Sequence, residues 1–220
     1  MEKDTAKIIS DLEERLKFYS QLGVEFITSA SSSAKDDYLS LVKKILNCRK
    51  CELFRHRKNP VPGEGNLQAE LMFVGEAPGR DEDLQGKPFI GRAGQLLTKI
   101  IKAMKYRRQD VYITNVVKCR PPNNRNPHQT EIEKCQEYLL TQIELIKPQV
   151  IVSLGKVATD FFLQSSLSMT ALRGKFYDYG KIRIMPTFHP SYLVRNEGNR
   201  RLKRMVWEDM KKVMAYLGKK

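Results

Sequence analysis

The four cysteines of this chain are the residues whose spacing most directly suggests chemistry. Cys48 and Cys51 form a C-x2-C pair, and Cys119 and Cys135 follow after a gap of 67 residues, with 15 residues between them. A C-x2-C pair directs two sulfurs at one metal, so four thiolates suit tetrahedral zinc or an iron–sulfur cluster. Zinc ribbons usually show two such pairs, which favours a cluster here. The alternative is one redox pair with two unrelated core cysteines, and Cys135 does lie in a helical pattern.

A second candidate site is segment 75–83, GEAPGRDED, which is a tight Gly/Pro turn followed by acids. It lacks the GK[ST] end of a phosphate-binding P-loop and is not a GxGxxG turn. A turn of this kind exposes backbone N–H groups to a ligand. It leads to Phe89 and then to the small residues of 91–94, which let a phosphate or a backbone approach a helix N-terminus. Taken singly, Phe89 is equally consistent with core packing, and Glu76 and Glu82 with a solvated turn.

The elements that must position these residues alternate along the chain. Helices are predicted at 38–46, 93–104, 126–146, directly after 155, and 199–217, and strands at 71–75, 111–117, 150–154 and 182–188. This alternation predicts an α/β fold, a three-layer α/β/α sandwich with a central, mainly parallel four-stranded sheet.

Every unusual polar motif follows the end of a predicted strand. GEAPG follows the first strand, Asn115 and Lys118 lie at the end of the second, Gly155 follows the third, and His189 follows the last. The carboxyl ends of parallel strands form the ligand crevice of an open α/β sheet. The candidate groups are therefore expected on one rim.

Charge divides the chain into two parts. Residues 1–38, a predicted N-terminal helical arm with a Ser-rich linker, carry a net charge of −3, whereas residues 39–220, the predicted main domain, carry +17. A basic surface of this size favours a polyanion partner such as nucleic acid, because Lys and Arg release counterions from phosphates. The other interpretation is a generally basic, well-solvated protein.

The hydropathy pattern excludes a membrane-spanning helix, because no run of about 18 apolar residues occurs. The N-terminus also lacks the uncharged core of a signal peptide. We therefore expect a cytoplasmic protein whose thiols are reduced.

Four segments, GEAPGRDED (75–83), PFIGRAGQLL (88–97), TNVVKCRPPNNRNP (114–127) and HPSYL (189–193), together with the four cysteines, resemble the family 4 uracil-DNA glycosylases. This is the iron–sulfur branch of its superfamily, and the resemblance covers all but the N-terminal arm. It implies a DNA repair enzyme that flips uracil out of DNA and hydrolyses its N-glycosidic bond, leaving an abasic site. It also implies a structural 4Fe–4S cluster on Cys48, Cys51, Cys119 and Cys135.

The resemblance also implies roles for individual residues around the uracil. Phe89 would stack on the base, Asn115 would read its edge, and a neutral His189 would donate a hydrogen bond to O2. Gly75 and Ala77 would line the same pocket. The best-known branch of the superfamily has an Asp at the position of Ala77. Without that carboxylate, the acids left to hold the water that attacks the sugar are Glu76 and Glu82.

The remaining residues that the resemblance assigns would contact DNA: Arg92, Lys118, Arg120, Ser191, Leu193 and Arg195. Leu193 would wedge into the space that the flipped base leaves, and the alternative for this residue is a core contact at the start of a helix. The competing hypothesis is a non-catalytic iron–sulfur DNA-binding accessory module, which would not need Phe89, Asn115 and His189. A third is a zinc-bound nucleotide-binding protein. A monomer is expected, with the arm available to a protein partner.

Overall fold

A computed structural model describes residues 34–219, so the predicted arm lies outside the described residues except for positions 34–38. Those five positions are helical, which starts the first helix four residues earlier than predicted. The helices are α1 (Ala34–Leu46), α2 (Arg80–Gln85), α3 (Arg92–Ala103), α4 (Gln129–Ile146), α5 (Lys156–Leu163), α6 (Met169–Leu172), α7 (Pro190–Arg195) and α8 (Arg200–Tyr216). Short 3-10 turns span Glu52–Arg55, Arg108–Asp110 and Pro122–Asn124.

The sheet has six strands in the order β1-β3-β2-β4-β6-β5. They are β1 (Glu64–Gly65), β2 (Leu71–Gly75), β3 (Tyr112–Asn115), β4 (Val150–Leu154), β5 (Tyr177–Tyr179) and β6 (Ile182–Thr187). The four inner strands are parallel, and β1 and β5 pair antiparallel at the two edges. The prediction of four strands was therefore wrong in number, because it missed two edge strands of two and three residues. The four parallel strands themselves are confirmed.

Side chains that alternate along the inner strands bury two separate cores. Met72 and Val74 point to a core that contains residues of α1, α4 and α5, whereas Leu71 and Phe73 point to a core that contains residues of α3, α7 and α8. Strands that are apolar on both faces are typical of a parallel sheet covered by helices on each side. The three-layer α/β/α architecture is therefore confirmed.

Strand order fixes where a ligand can enter. From β2 the chain first adds β3 on one side and later adds β4 on the other, so the strand order switches direction at β2. Such a switch leaves a crevice at the carboxyl ends of the neighbouring strands. Within residues 34–219, no helix is long and apolar enough to cross a bilayer.

Candidate active site

A cleft of about 560 Å³ opens at the carboxyl ends of β2, β3, β4 and β6. Its lining brings together predicted residues from four separate segments of the chain, namely Glu76, Phe89, Asn115 and His189. Ala77, Glu82, Ser191 and Arg195 line it as well. The rim predicted from the order of strands and motifs is thus a single concave site.

Asn115 lies at the floor of the cleft, at the last position of β3. It pairs in register with Gly75 of β2, and its side chain is 1 % exposed. Its Oδ1 is the one buried side-chain oxygen or nitrogen among the described residues that has no hydrogen-bond partner. A buried acceptor without a donor costs about 1–3 kcal/mol, so this oxygen is placed to receive an N–H group from a ligand.

Gly75 explains how this floor can form. A Cβ at this position would lie closer than 3.0 Å to both Asn115 Oδ1 and the ring of Phe89. Only a hydrogen atom leaves room for the amide and the ring to face the same space. The predicted role of Gly75 in the pocket therefore has a steric reason.

Phe89 is held in the left-handed region of backbone space, with φ at +49°. A residue with a Cβ adopts this conformation at a cost of order 1–3 kcal/mol, so its neighbours must impose it. Glu82 does so in part, since its Oε1 accepts hydrogen bonds from the N–H groups of Ile90 and Gly91, each at 2.9 Å. Gly94, in the first turn of α3, lies so close to the Phe89 carbonyl that any Cβ would collide with it.

His189 ends the segment after β6 and caps the N-terminus of α7. The backbone N–H of Ser191 donates to its Nδ1 at 3.1 Å, and Ser191 Oγ lies 2.8 Å from the same nitrogen. Because Nδ1 is an acceptor, the proton of the neutral ring is on Nε2. Burial, with a smaller contribution from Arg195, lowers the pKa of His189 from 6.5 to about 4.

The imidazole is therefore neutral at physiological pH and still able to donate a hydrogen bond. Its ring centroid lies 5.7 Å from that of Phe89, with 33° between the planes. A flat ligand against Phe89 would therefore lie within reach of the histidine. This is the arrangement expected for stabilising negative charge on one edge of a planar ring.

The two candidate acids differ in what their carboxylates contact. Glu82 Oε1 is occupied by two backbone N–H groups, so this residue positions the loop that carries Phe89. Glu76 lines the cleft, and burial raises the pKa of its carboxyl. Of the two, Glu76 is the better placed to act on a water molecule in the cleft.

Three of the residues predicted to contact DNA are accessible near the cleft. Arg92 and Arg195 are exposed, and Arg120 is half-buried beside Asn124, whose Oδ1 accepts from its Nε at 2.7 Å. Ser191 lies in the cleft wall. These positions suit contacts to a phosphodiester backbone around the entrance.

The prediction that Lys118 contacts DNA is wrong, because this residue is 1 % exposed and cannot touch a phosphate. Its Nζ donates to Thr114 Oγ1, to the Asn115 carbonyl oxygen and to Gln142 Oε1, each at 2.7 Å. Burial lowers its pKa to about 7. Lys118 therefore fixes the backbone of Asn115 from inside the core.

The prediction that Leu193 wedges into the DNA is also wrong. This residue is 2 % exposed and belongs to the core beneath α3 and α8, so it cannot enter a DNA groove without leaving that core. Its neighbour Tyr192 is 39 % exposed and lines the cleft instead. The sequence could not distinguish the two, because both lie on the same short helix.

Cys119 and Cys135 are buried members of the core that contains residues of α1 and α4, and the half-buried Cys48 and Cys51 pack against this core. Burial raises the pKa of the Cys135 thiol to about 12 and raises that of Cys119, whose nearest charged neighbour is Arg57. Thiols in such a dry place become thiolates when a metal compensates their charge.

Two N–H donors point at these sulfurs. Arg57 Nη1 donates to Cys119 Sγ at 3.0 Å, and the backbone N–H of Lys118 donates to Cys135 Sγ at 3.3 Å. Hydrogen bonds to sulfur are typical of thiolate-ligated clusters. No three Cys, His, Asp or Glu side chains within residues 34–219 are arranged as ligands of a single ion. The four thiols are the type of donor that an iron–sulfur cluster or a zinc ion would take.

Several residues that support the site carry no signal in the sequence. Arg57 also donates to the Cys48 carbonyl at 2.8 Å, and Gln142 connects Lys118 to the Pro62 carbonyl. Asp83, in the acidic turn, is buried and its Oδ1 accepts the N–H groups of Lys58 and Asn59. Single charged or amide residues without a spacing pattern could not have been recognised in advance.

The cleft of this α/β/α fold brings an amide, an aromatic ring and a neutral imidazole together at the switch in strand order. These groups are those of an enzyme that binds a planar ring and stabilises negative charge on its edge. The family model described as "Uracil DNA glycosylase superfamily" matches residues 62–211, and the chain belongs to that superfamily.

Curated relatives narrow this assignment. The chain is 47 % identical over 188 residues to the type-4 uracil-DNA glycosylase of Thermotoga maritima, covering 84 % of this chain and 97 % of that protein. It is 45 % identical over 188 residues to the type-4 enzyme of Archaeoglobus fulgidus, with 82 % and 93 % covered. The type-4 enzyme of Saccharolobus solfataricus is 46 % identical over 194 residues. The chain is a member of the type-4 uracil-DNA glycosylases, which confirms the resemblance.

Proposed function

We propose that the protein removes uracil from DNA by hydrolysing the bond between the base and its sugar. The observation that carries this proposal is the unpaired Oδ1 of Asn115 beside the Phe89 ring. Uracil offers an N3–H donor to this oxygen and an O4 acceptor to the amide nitrogen. Cytosine offers an acceptor and a donor in the reverse order, so the same amide excludes it.

The other residues of the cleft supply the rest of the reaction. A uracil inside a duplex must first be flipped out, and Phe89 then stacks on its face. Bond cleavage leaves an oxocarbenium-like sugar and a uracil anion. His189 donates its Nε2 proton in a hydrogen bond to O2, where this negative charge develops. Glu76 orients the water that attacks the sugar.

The test is a uracil-release assay on a duplex that contains one U·G pair. His189→Ala should lower the single-turnover rate about 100-fold to 1000-fold, the usual loss when one donor to a developing anion is removed. Asn115→Ala should lose a similar amount, with little change in DNA affinity. His56→Ala is the matched control, because His56 is exposed and lies outside the cleft. Rates of His189→Ala and Asn115→Ala near wild type would refute the proposal.

We also propose that Cys48, Cys51, Cys119 and Cys135 hold a 4Fe–4S cluster with a structural role. The support is that all four thiols belong to or pack against one core, and that two N–H donors are directed at sulfur. When bound, the cluster would tie the segment after α1 to the basic loop that contains Arg120. Iron and sulfide analysis of the purified protein, with visible absorbance, tests it, and a stoichiometric zinc content without iron would contradict it.

DNA is the partner that this function requires, and we propose that the enzyme acts as an intracellular monomer. The N-terminal arm remains a candidate for binding a protein partner. A variant that lacks residues 1–33, which leaves α1 complete, is expected to release uracil normally. Loss of activity in that variant would show that the arm takes part in catalysis or folding.

A further inference from the structure

The helix α7 carries two neighbouring apolar side chains with opposite environments. Leu193 is buried in the core beneath α3, whereas Tyr192 stands 39 % exposed in the wall of the cleft. A side chain that fills a gap in a base stack must project from the surface before DNA arrives. Only Tyr192 of this pair does so.

Tyr192 is also held in a defined direction. Its ring packs on that of Phe188, with centroids 5.4 Å apart and 46° between the planes. Phe188 is in turn faced by the guanidinium of Arg173 at 5.7 Å. An exposed ring that is supported from behind loses little rotational freedom when it contacts a ligand.

The position of Tyr192 is coupled to that of the histidine. Its backbone N–H donates to the His189 carbonyl oxygen at 2.9 Å, so both side chains extend from one turn of chain. An extruded nucleotide contacted by His189 would therefore leave its gap in the stack close to Tyr192. Aromatic rings stack on bases of any sequence, which suits a side chain that must work next to any neighbouring pair.

We propose that Tyr192, and not Leu193, enters the duplex and occupies the space that the flipped uracil leaves. This inference rests on the proposed uracil excision. It predicts a role in duplex DNA alone, because single-stranded DNA has no partner strand and no gap to fill.

The experiment compares uracil release from single-stranded and from duplex U·A DNA. Tyr192→Ala should lower the duplex rate about 10-fold or more beyond any change in the single-strand rate, as expected for the loss of one stacking contact. The loss on U·G should be smaller, because that pair opens more easily. Tyr192→Phe, which keeps the ring, should restore the ratio of the two rates.

A chemical complement separates wedging from folding damage. A pyrene nucleotide placed opposite the uracil fills the gap itself, so it should rescue Tyr192→Ala. Tyr216→Ala is the matched control, because Tyr216 is also exposed and packs on a phenylalanine, at 5.1 Å, but lies outside the cleft. It should leave the ratio of duplex to single-strand rates unchanged.

Three results would overturn this inference. They are an equal loss of Tyr192→Ala on both substrates, no loss at all, or a duplex-specific, pyrene-rescued loss in Leu193→Ala. Leu193→Ala is expected instead to lower the melting temperature and to affect both substrates alike. If the wild type released uracil from neither substrate, the proposed function itself would fail, which is a distinct outcome.

Discussion

Adding one methyl group at Gly75 is the sharpest test of the pocket floor. The backbone of Gly75 has no positive φ, so an alanine meets no conformational strain there. Its Cβ would nevertheless lie 2.8 Å from Phe89 Cε2 and closer still to Asn115 Oδ1, whereas ordinary contacts begin near 3.4 Å. The ring and the amide must therefore move apart, and the methyl occupies the recess between them.

The magnitude follows from this overlap. Inserting a methyl group into a packed site costs about 1–3 kcal/mol, which should appear as a similar loss in the free energy of unfolding of Gly75→Ala. The loss of recognition should be larger, because the stacking ring and the reading amide are displaced together. We expect kcat/KM for uracil release to fall at least about 100-fold, which corresponds to roughly 2.7 kcal/mol.

The assay combines single-turnover uracil release with urea unfolding. Gly198→Ala is the control, because a Cβ there meets no atom within 4 Å and its φ is not positive. A folded Gly75→Ala protein with a rate within about twofold of wild type would refute the reasoning, since the recess would then not be where uracil binds.

Four further predictions concern His189 and two residues that support the site. In nitrogen NMR spectra His189 should remain the neutral Nε2–H tautomer from pH 8 to pH 5, and titration near its ordinary pKa of 6.5 would contradict the burial argument. The pKa of His189 is about 4 in the folded protein and about 6.5 in the unfolded chain, so between these pH values only the unfolded chain binds the proton. Protonation of His189 should therefore lower the free energy of unfolding as pH falls from about 6.5 to about 4. Lys118→Met should lower the free energy of unfolding by about 2–4 kcal/mol, because Gln142 and the Asn115 carbonyl lose a buried donor. Urea denaturation measures this change. A difference below about 0.5 kcal/mol would mean that these oxygens find other donors. Arg57→Met, which removes the donor to Cys119, should speed the loss of visible absorbance on exposure to a chelator, and an unchanged rate would argue against that hydrogen bond.

The sequence predicts the four inner strands well because each is a short, mainly apolar segment between helical patterns. It misses β1 and β5, since strands of two and three residues leave no periodic signal. The rim follows from the motifs at the ends of successive strands, so the meeting of Asn115 and His189 could be anticipated, whereas the place of Phe89 was implied by the family resemblance. Their fine geometry, such as the left-handed backbone of Phe89, depends on contacts with Glu82 and Gly94 that no local pattern reveals.

Burial of polar and apolar side chains near the site could not be predicted in the same way. A lysine in a basic segment is usually solvated, yet Lys118 is enclosed because Thr114, Gln142 and a carbonyl offer it three acceptors. Leu193 and Tyr192 are adjacent on a six-residue helix, too short for its periodicity to show which one faces the core. Both errors concern tertiary packing and not the motifs.

The groups around the cleft lie on or beside turns that follow four different strands. A new base preference would need a different hydrogen-bond pattern at Asn115 and a different contact to the leaving base at His189. It must therefore alter the end of β3 and the turn after β6 together. Grafting one loop from a distant glycosylase would transfer only a fragment of its selectivity. In the turn after β2 a change at Glu82 would loosen the loop that carries Phe89, because Glu82 accepts the N–H groups of Ile90 and Gly91, whereas a change at Glu76 would leave these two hydrogen bonds in place.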